Sequence, residues 1–221
     1  MKDRTPEINL ILKEIKVNEN GPAAEAMQRL GLNYKKNHGV SISNLKQIAE
    51  KYKPNRELAA ELRLINIRET VILAEMIEDP QRISLNEIEK IVNKIQNIEH
   101  AEQTVLNLLQ YADECRNICV KWTTSEKPYV KVTAYILFSI LANKKENIPD
   151  AFFETIITRS QSDFENENLH VRNSIARALR NIALRNEHLK RKVLEKTDQI
   201  NKNKTERNAL IYEESVPLLD Y

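Results

Sequence analysis

The chain has 221 residues and a formal net charge of +2, and 30% of its residues are charged against 41% hydrophobic. This composition excludes a disordered chain, and no apolar run approaches the roughly 18 residues of a membrane span. With only three glycines and seven prolines among many Leu, Ala, Glu and Lys residues, the chain is expected to be all-helical. The N-terminus lacks a signal-peptide pattern and two cysteines give no disulfide framework, so we expect a cytoplasmic location.

Apolar residues recur with a period near 3.6 along almost the whole chain, which predicts successive helices. The pair NRELAAELRLIN and IRETVILAEMIEDP is either two helices or one bent segment. A capping box of Ser84 and Glu87 begins the helix after it. In the first half the predicted helices are Glu7 to Ile15, a segment opened by Pro22 and closed by Gly31, a helix from the serines at 41 and 43 to Lys51, the pair just named, and SLNEIEKIVNKIQ.

The second half continues the same pattern, and its most apolar segment, YVKVTAYILFSILA, is expected at the centre of the fold. Roughly ten to twelve helices joined by short connections predict antiparallel neighbours stacked into an α-solenoid, with a compact irregular bundle as the alternative. We expect one helical repeat domain over residues 1–200 and a polar, partly ordered tail over 201–221. The other predicted helices here are IEHAEQTVLNLL to Tyr111, ECRNICVKW, AFFETIITRS, LHVRNSIARALRNIALR and EHLKRKVLEKT.

One residue interrupts the apolar stripe of the helix that begins at Ile98. Val105 and Leu109 continue this stripe, but Glu102 falls on it, four residues after Ile98 and three before Val105. The carboxylate is a solvated stripe edge, a structural ion pair or a working group, and the sequence leaves these three alternatives open. The neighbours on other faces, namely Glu99, His100, Gln103 and Thr104, are expected to be solvated.

Positive charge is concentrated near the C-terminus, where eleven Lys and Arg face four Asp and Glu between Arg172 and Arg207. Arg177 and Arg180 share a helix face beside Asn173, opposite a predicted buried stripe. Such a basic row suits contact with a phosphate backbone, although any solvated helix shows a similar pattern. Weaker candidates for the same role are Arg172, Lys131, Lys190 and Lys192, and the predicted buried stripe is Val171, Ile175, Leu179 and Ile182.

Other residue types give no catalytic motif. Cys115 and Cys119 are expected to be packed free thiols, and Trp122, the only tryptophan, is expected to pack in the core. The sequence contains no Gly-rich phosphate loop, Ser-His-Asp pattern or HExxH motif. A kinase, NTPase, protease or metalloenzyme is therefore not expected, and neither a metal nor a cofactor is predicted.

The segment GVSISNLKQIAEKYKPNRELAAELRLINIRETVILAEMIEDP combines a glycine-led turn, a helix ending in Ile-Ala, a Leu-Ala-x-x-Leu helix and an Arg-Glu pair. With KWTTSEKPYVKVTAY and VRNSIARALRNIAL, it resembles the DNA alkylation repair family, the AlkD-like HEAT-repeat DNA glycosylases, over about residues 35–190. The resemblance implies a HEAT-like α-solenoid whose concave basic face holds duplex DNA. The matched positions are Gly39, Ile48, Ala49, Leu58, Ala59, Leu62, Arg68, Glu69, Leu73 and Ala74.

In active members the resemblance implies hydrolysis of the N-glycosidic bond of 3- or 7-alkylated purines, without a metal or cofactor. Such a base is already cationic, so a carboxylate that stabilises positive charge on the sugar is the main requirement. The resemblance places this carboxylate, an Asp in the family, at Glu102. It places the two family tryptophans at Ile98 and Arg177, and one family arginine at Arg180. Another arginine falls on Val132, next to Lys131.

Taken together, the sequence predicts a monomeric DNA-binding protein whose partner is the duplex phosphate backbone, with no membrane contact. Glu102 would be the catalytic stabiliser if the chain is a DNA glycosylase. The alternative is a catalytically inactive HEAT-like scaffold that binds a nucleic-acid structure or a protein partner. In the DNA-binding protein, with or without glycosylase activity, the residues holding the DNA backbone would be Lys131, Arg172, Arg177 and Arg180.

Overall fold

The computed structural model describes residues 6–144 and 148–216, apart from the side chains of Asn117 and Asn201. These residues form helices and two 3-10 turns, with no strand. The first seven helices are α1 Pro6–Val17, α2 Gly21–Arg29, α3 Ile42–Glu50, α4 Arg56–Ile65, α5 Arg68–Ile77, α6 Leu85–Val92 and α7 Ile98–Asn107. The others are α8 Cys115–Trp122, α9 Pro128–Asn143, α10 Asp150–Ser160, α11 Leu169–Ala183, α12 Glu187–Lys202 and α13 Glu206–Ser215.

The helices stack in two layers. The first, called here the central layer, consists of α3, α5, α7, α9, α11 and α13, each of which contacts the next. Helices α4, α8 and α12 pack behind α5, α9 and α11, and α10 packs beside α12. This is the arrangement of stacked helix pairs that the sequence predicts.

Helix α9 lies at the centre of the larger hydrophobic core, as expected from its apolar sequence. Eleven of its 16 residues are buried, and it contacts α7, α8 and α11. A smaller core is formed by α1, α3, α4 and α5. As predicted, Trp122, Cys115 and Cys119 are buried in the larger core, and burial raises the pKa of both thiols.

The α4–α5 segment forms two helices rather than one bent helix, because Asn66 adopts the left-handed conformation with φ 57°. The capping box of Ser84 and Glu87 is present at the start of α6. Beyond residue 200, α13 packs against α11 and buries Ile211 completely. The described part of the predicted tail therefore contributes to the core, and residues 217–221 lie outside the described part of the chain.

A buried ion pair at the start of α5 connects the N-terminal turn to α7. The Arg68 side chain is 1% exposed and that of its neighbour Glu69 is 0% exposed. Glu69 accepts hydrogen bonds from the backbone N–H groups of His38 and Val40. Arg68 donates to the Val40 carbonyl at 2.8 Å and to both Glu99 carboxylate oxygens at 2.8 and 2.7 Å. These contacts fix the first turn of α7 against α5.

A second network joins α4, α5 and α6. Arg63 donates to Glu75 at 3.1 Å and to Glu78 at 2.7 Å. Arg56 bridges Glu78 and Glu87. Burial raises the pKa of Glu75, and the Arg63 charge opposes that rise.

None of the helices in the described part of the chain combines the length and the apolar character of a membrane span.

Candidate functional site

Helix α7 exposes one strip of its surface on one side of the central layer. His100, Thr104 and Val105 face the interior, whereas Leu106 is 43% exposed and Glu102 is 40% exposed. We call the side of the central layer on which Glu102 and Leu106 are exposed the front face. Sequence periodicity placed Glu102 on the apolar stripe, and in the structure it lies at the solvent edge of that stripe.

Glu102 forms an ion pair with Arg177 of α11. The distance between Glu102 Oε1 and Arg177 Nη1 is 3.6 Å, and the two side chains are 40% and 46% exposed. Helices α7 and α11 lie on either side of α9, so the pair spans α9 on the front face. An exposed pair of this kind stabilises a fold by at most about 1 kcal/mol. The pair therefore contributes little to the stability of the fold.

Arg180 lies one turn after Arg177 and is half-buried. Within residues 6–144 and 148–216, Arg180 has no ion-pair partner, whereas Arg177 has Glu102. Asn173, one turn before Arg177, is exposed. Asn181 holds this part of α11 against α9 by donating to the Ser139 hydroxyl at 2.7 Å. The basic row predicted from the sequence is therefore present on α11, with one of its two guanidinium groups uncommitted.

The other two predicted DNA-binding residues make intramolecular contacts. Lys131, in the first turns of α9, forms an ion pair with Asp163, whose side chain is 4% exposed. Asp163 also accepts from the Tyr135 hydroxyl at 3.3 Å. Arg172 donates to the backbone carbonyls of Asn166 and Glu167 before α11. Both cations are thus committed to the segment that precedes α11.

The basic C-terminal stretch is divided between the two layers. Arg177 and Arg180 lie on α11 in the central layer, whereas Lys190 and Lys192 lie on α12, which packs beside α10. Lys192 is 3.8 Å from Glu154 of α10. The charge excess between Arg172 and Arg207 is therefore not a single patch, and its α12 part lies in the other layer from Arg177 and Arg180.

The expectation that Glu99, His100 and Thr104 are solvated is wrong. The Glu99 side chain is 15% exposed and receives hydrogen bonds from Arg68 and from the Tyr34 hydroxyl. His100 is 7% exposed and Thr104 is fully buried. Burial lowers the pKa of His100 to about 4, so the ring is neutral at pH 7. The reason is that both α5 and α9 pack on α7, which covers more of its surface than one apolar stripe.

Most of the chain is similar in sequence to one known family. A sequence model described as a DNA alkylation repair enzyme matches residues 11–212. The chain belongs to the DNA alkylation repair family. A search of curated proteins gave no match.

Among solved structures, a similar one carries the description "A new family of proteins related to the HEAT-like repeat DNA glycosylases with affinity for branched DNA structures". It superposes with a TM-score of 0.77 at 17% identity, over 87% of this chain and 82% of the other. This similarity confirms the HEAT-like all-α fold of this member of the DNA alkylation repair family.

In this family member, three positions that the resemblance assigns to family aromatic and basic residues hold two packed aliphatic side chains and one ion-paired arginine. Ile98 is half-buried and packs against the larger core. Val132, at the position of a family arginine, is fully buried. Arg177, at the second tryptophan position, pairs with Glu102, and the chain's single tryptophan, Trp122, is 5% exposed. The carboxylate therefore faces a guanidinium group where the resemblance implies an aromatic wall.

Proposed function

We propose that this chain binds DNA on its front face through phosphate contacts of Arg177 and Arg180, and that it does not release alkylated bases. The observation that carries this proposal is the Glu102–Arg177 ion pair. A carboxylate that stabilises a cationic sugar acts best when its charge is uncompensated and water is excluded. Here a cation already faces Glu102, and the side chain is 40% exposed.

The chemistry of the α11 row suits phosphate binding. Two guanidinium groups at i and i+3 present planar donors that match phosphate oxygens. Phosphate contacts position a protein on DNA without reading its sequence. The solved relative, which is described as having affinity for branched DNA structures, supports the same ligand class.

Replacing both arginines with glutamine is expected to weaken duplex binding and to reduce its dependence on salt. The slope of log K against log salt concentration is negative, and losing two phosphate contacts should reduce its magnitude by about 2. The measurement is fluorescence anisotropy of a labelled duplex between about 50 and 200 mM salt. Lys190→Gln with Lys192→Gln, on α12, is the matched control and should leave the slope unchanged. An unchanged slope for the α11 variant would place the DNA elsewhere.

A second candidate function is glycosylase activity, which is favoured by the carboxylate that Glu102 retains at the position implied by the resemblance. Glu102→Gln separates the two functions because one predicts a change in duplex affinity and the other a change in the rate of base release. If the front face only binds DNA, the substitution removes a negative charge and frees Arg177, so duplex affinity rises severalfold at low salt. If Glu102 is catalytic, release of 7-methylguanine from a duplex falls steeply.

The experiment measures affinity and released base on the same duplex, for the parent and for Glu102→Gln. We expect no release above a no-protein control and tighter binding by the variant. Glu25→Gln, an exposed glutamate of α2, is the control for a general charge effect. Base release that depends on Glu102 would instead establish the glycosylase. If the protein neither releases base nor retains DNA, the result would favour a scaffold for a protein partner.

A further inference from the structure

A polar groove lies on the front face beside the Glu102–Arg177 pair. It is a cavity of about 580 Å³ between α3 and α7, with Met76 of α5 at its floor. Leu106, one turn after Glu102, lines it. The exposed strip of α7 thus divides the front face into a side towards α11, which carries the arginines, and a side towards α3. We call this second side the amide groove, and the lining residues used below are Lys46, Lys53, Gln103, Asn107, Gln110 and Tyr111.

Carboxamides line one wall of the groove, two from α7, Gln103 and Asn107, and one, Gln110, from the 3-10 turn Leu109–Tyr111 that follows α7. Asn107 uses both amide hydrogens on Gln103, donating to its backbone carbonyl at 2.8 Å and to its side-chain oxygen at 3.0 Å. This leaves the Gln103 Nε2 donor and the Asn107 Oδ1 acceptor without a hydrogen-bond partner in the described part of the chain. Gln110 donates to the Leu106 carbonyl. The wall therefore offers a fixed donor and acceptor to a ligand.

An aromatic ring and several cations stand at the groove. Tyr111 is 51% exposed, and the Lys144 ammonium lies 5.5 Å from its ring centroid. On the α3 side, Lys53 pairs with Glu50, while Lys46 has no ion pair among the described residues. Two lysines, Lys46 and Lys53, thus line the groove with a single glutamate, Glu50. The groove combines positive charge, an exposed aromatic ring and amide groups, which together suit a nucleotide.

We propose that the amide groove binds unpaired nucleotides of a branched DNA while the α11 arginines hold its duplex arm; this inference rests on the proposed function. A base can stack on Tyr111 only when it has left the stack of a duplex, and its free pairing edge can then meet the Gln103 donor and the Asn107 acceptor. Tyr111 offers a stacking surface, and the lysines face the backbone phosphates. Because α7 separates the two sides, one strand leaving a duplex on the α11 side can cross Leu106 and enter the groove.

The test compares a blunt duplex with a forked duplex of the same length that carries a single-stranded arm, by fluorescence anisotropy at one salt concentration. The parent should bind the fork more tightly. Tyr111→Ala should weaken fork binding at least about fivefold and leave duplex binding unchanged. Tyr111→Phe, which retains the ring, should bind like the parent. Gln103→Ala should also weaken fork binding, whereas the control Gln28→Ala, exposed on α2, should not.

Two different failures remain distinguishable. If the duplex is bound through Arg177 and Arg180 but the fork is bound no more tightly, or if Tyr111→Ala and Gln103→Ala bind the fork like the parent, only the groove proposal is overturned. If no DNA is bound in any form, both proposals are overturned. Tyr111 and Gln103 are at least partly exposed, and thermal unfolding of each variant would verify that it is folded.

Discussion

Replacing Arg68 with alanine is expected to lower the free energy of unfolding by about 3–5 kcal/mol. The substitution leaves the fully buried Glu69 carboxylate without its cation and removes both hydrogen bonds to Glu99. Burial opposes the charge of Arg68, but its bonds to Glu99 and Glu69 outweigh this effect and raise its pKa. The buried Glu69 charge is compensated only while Arg68 is present. Removing Arg68 therefore leaves the full desolvation cost of the Glu69 carboxylate in the folded state.

Urea unfolding followed by circular dichroism at pH 7 measures this effect. Arg29→Ala is the matched control, because Arg29 is 72% exposed and its nearest carboxylate, Glu25, is 4.0 Å away. This control should change stability by less than about 0.5 kcal/mol. A loss below about 1 kcal/mol for Arg68→Ala would mean that the Arg68–Glu69 pair does not hold α5 in place.

Gly39→Ala is expected to destabilise the fold by more than about 2 kcal/mol. Gly39 has φ +69°, which costs an L-residue about 1–2 kcal/mol. A β-carbon there would also lie 2.1 Å from the Asn20 carbonyl oxygen and 2.7 Å from the Ala24 nitrogen. Both atoms belong to the backbone at the start of α2, so neither can rotate away, and the turn must separate from that helix.

The other two glycines are controls for the separate causes. Gly31 has φ +80° but nothing within 4 Å of an added β-carbon, so Gly31→Ala measures the conformational cost alone, about 1–2 kcal/mol. Gly21 also has open space and lacks a positive φ, so Gly21→Ala should be nearly neutral. Thermal unfolding of the three variants should rank Gly39→Ala as the most destabilised. Equal losses at positions 39 and 31 would show that the close approach to α2 has no cost.

These two predictions concern the same structural unit as the candidate site. Glu69 holds the backbone that flanks Gly39, and Arg68 joins this turn to Glu99 in the first turn of α7. Glu102 follows Glu99 by three residues on α7, and Gln103 by four. The Arg-Glu pair and the glycine-led turn, which carried the resemblance to the family, therefore act by orienting α7. Their role does not require contact with DNA.

The sequence predicted much of the fold because its signals are local. Apolar periodicity and the capping box at Ser84 depend only on neighbouring residues, so they predicted the helices. Their stacking into a solenoid rested on the short connections and also on the resemblance to the family. Periodicity also identified α9 as the centre. It did not predict that α13 would pack against α11, because the polar stretch around Ile211 offers few apolar residues to mark a buried face.

The candidate site depended on contacts between distant positions, which periodicity does not contain. The sequence by itself determined that Glu102 interrupts an apolar stripe and that Arg177 and Arg180 share one face. Only the tertiary structure decided that Glu102 pairs with Arg177, 75 residues away by their numbering, and that Lys131 is committed to Asp163. It also decided that His100 is buried. The physical reason is that charge pairing and burial follow from which helices become neighbours, and that is set by packing of the whole chain.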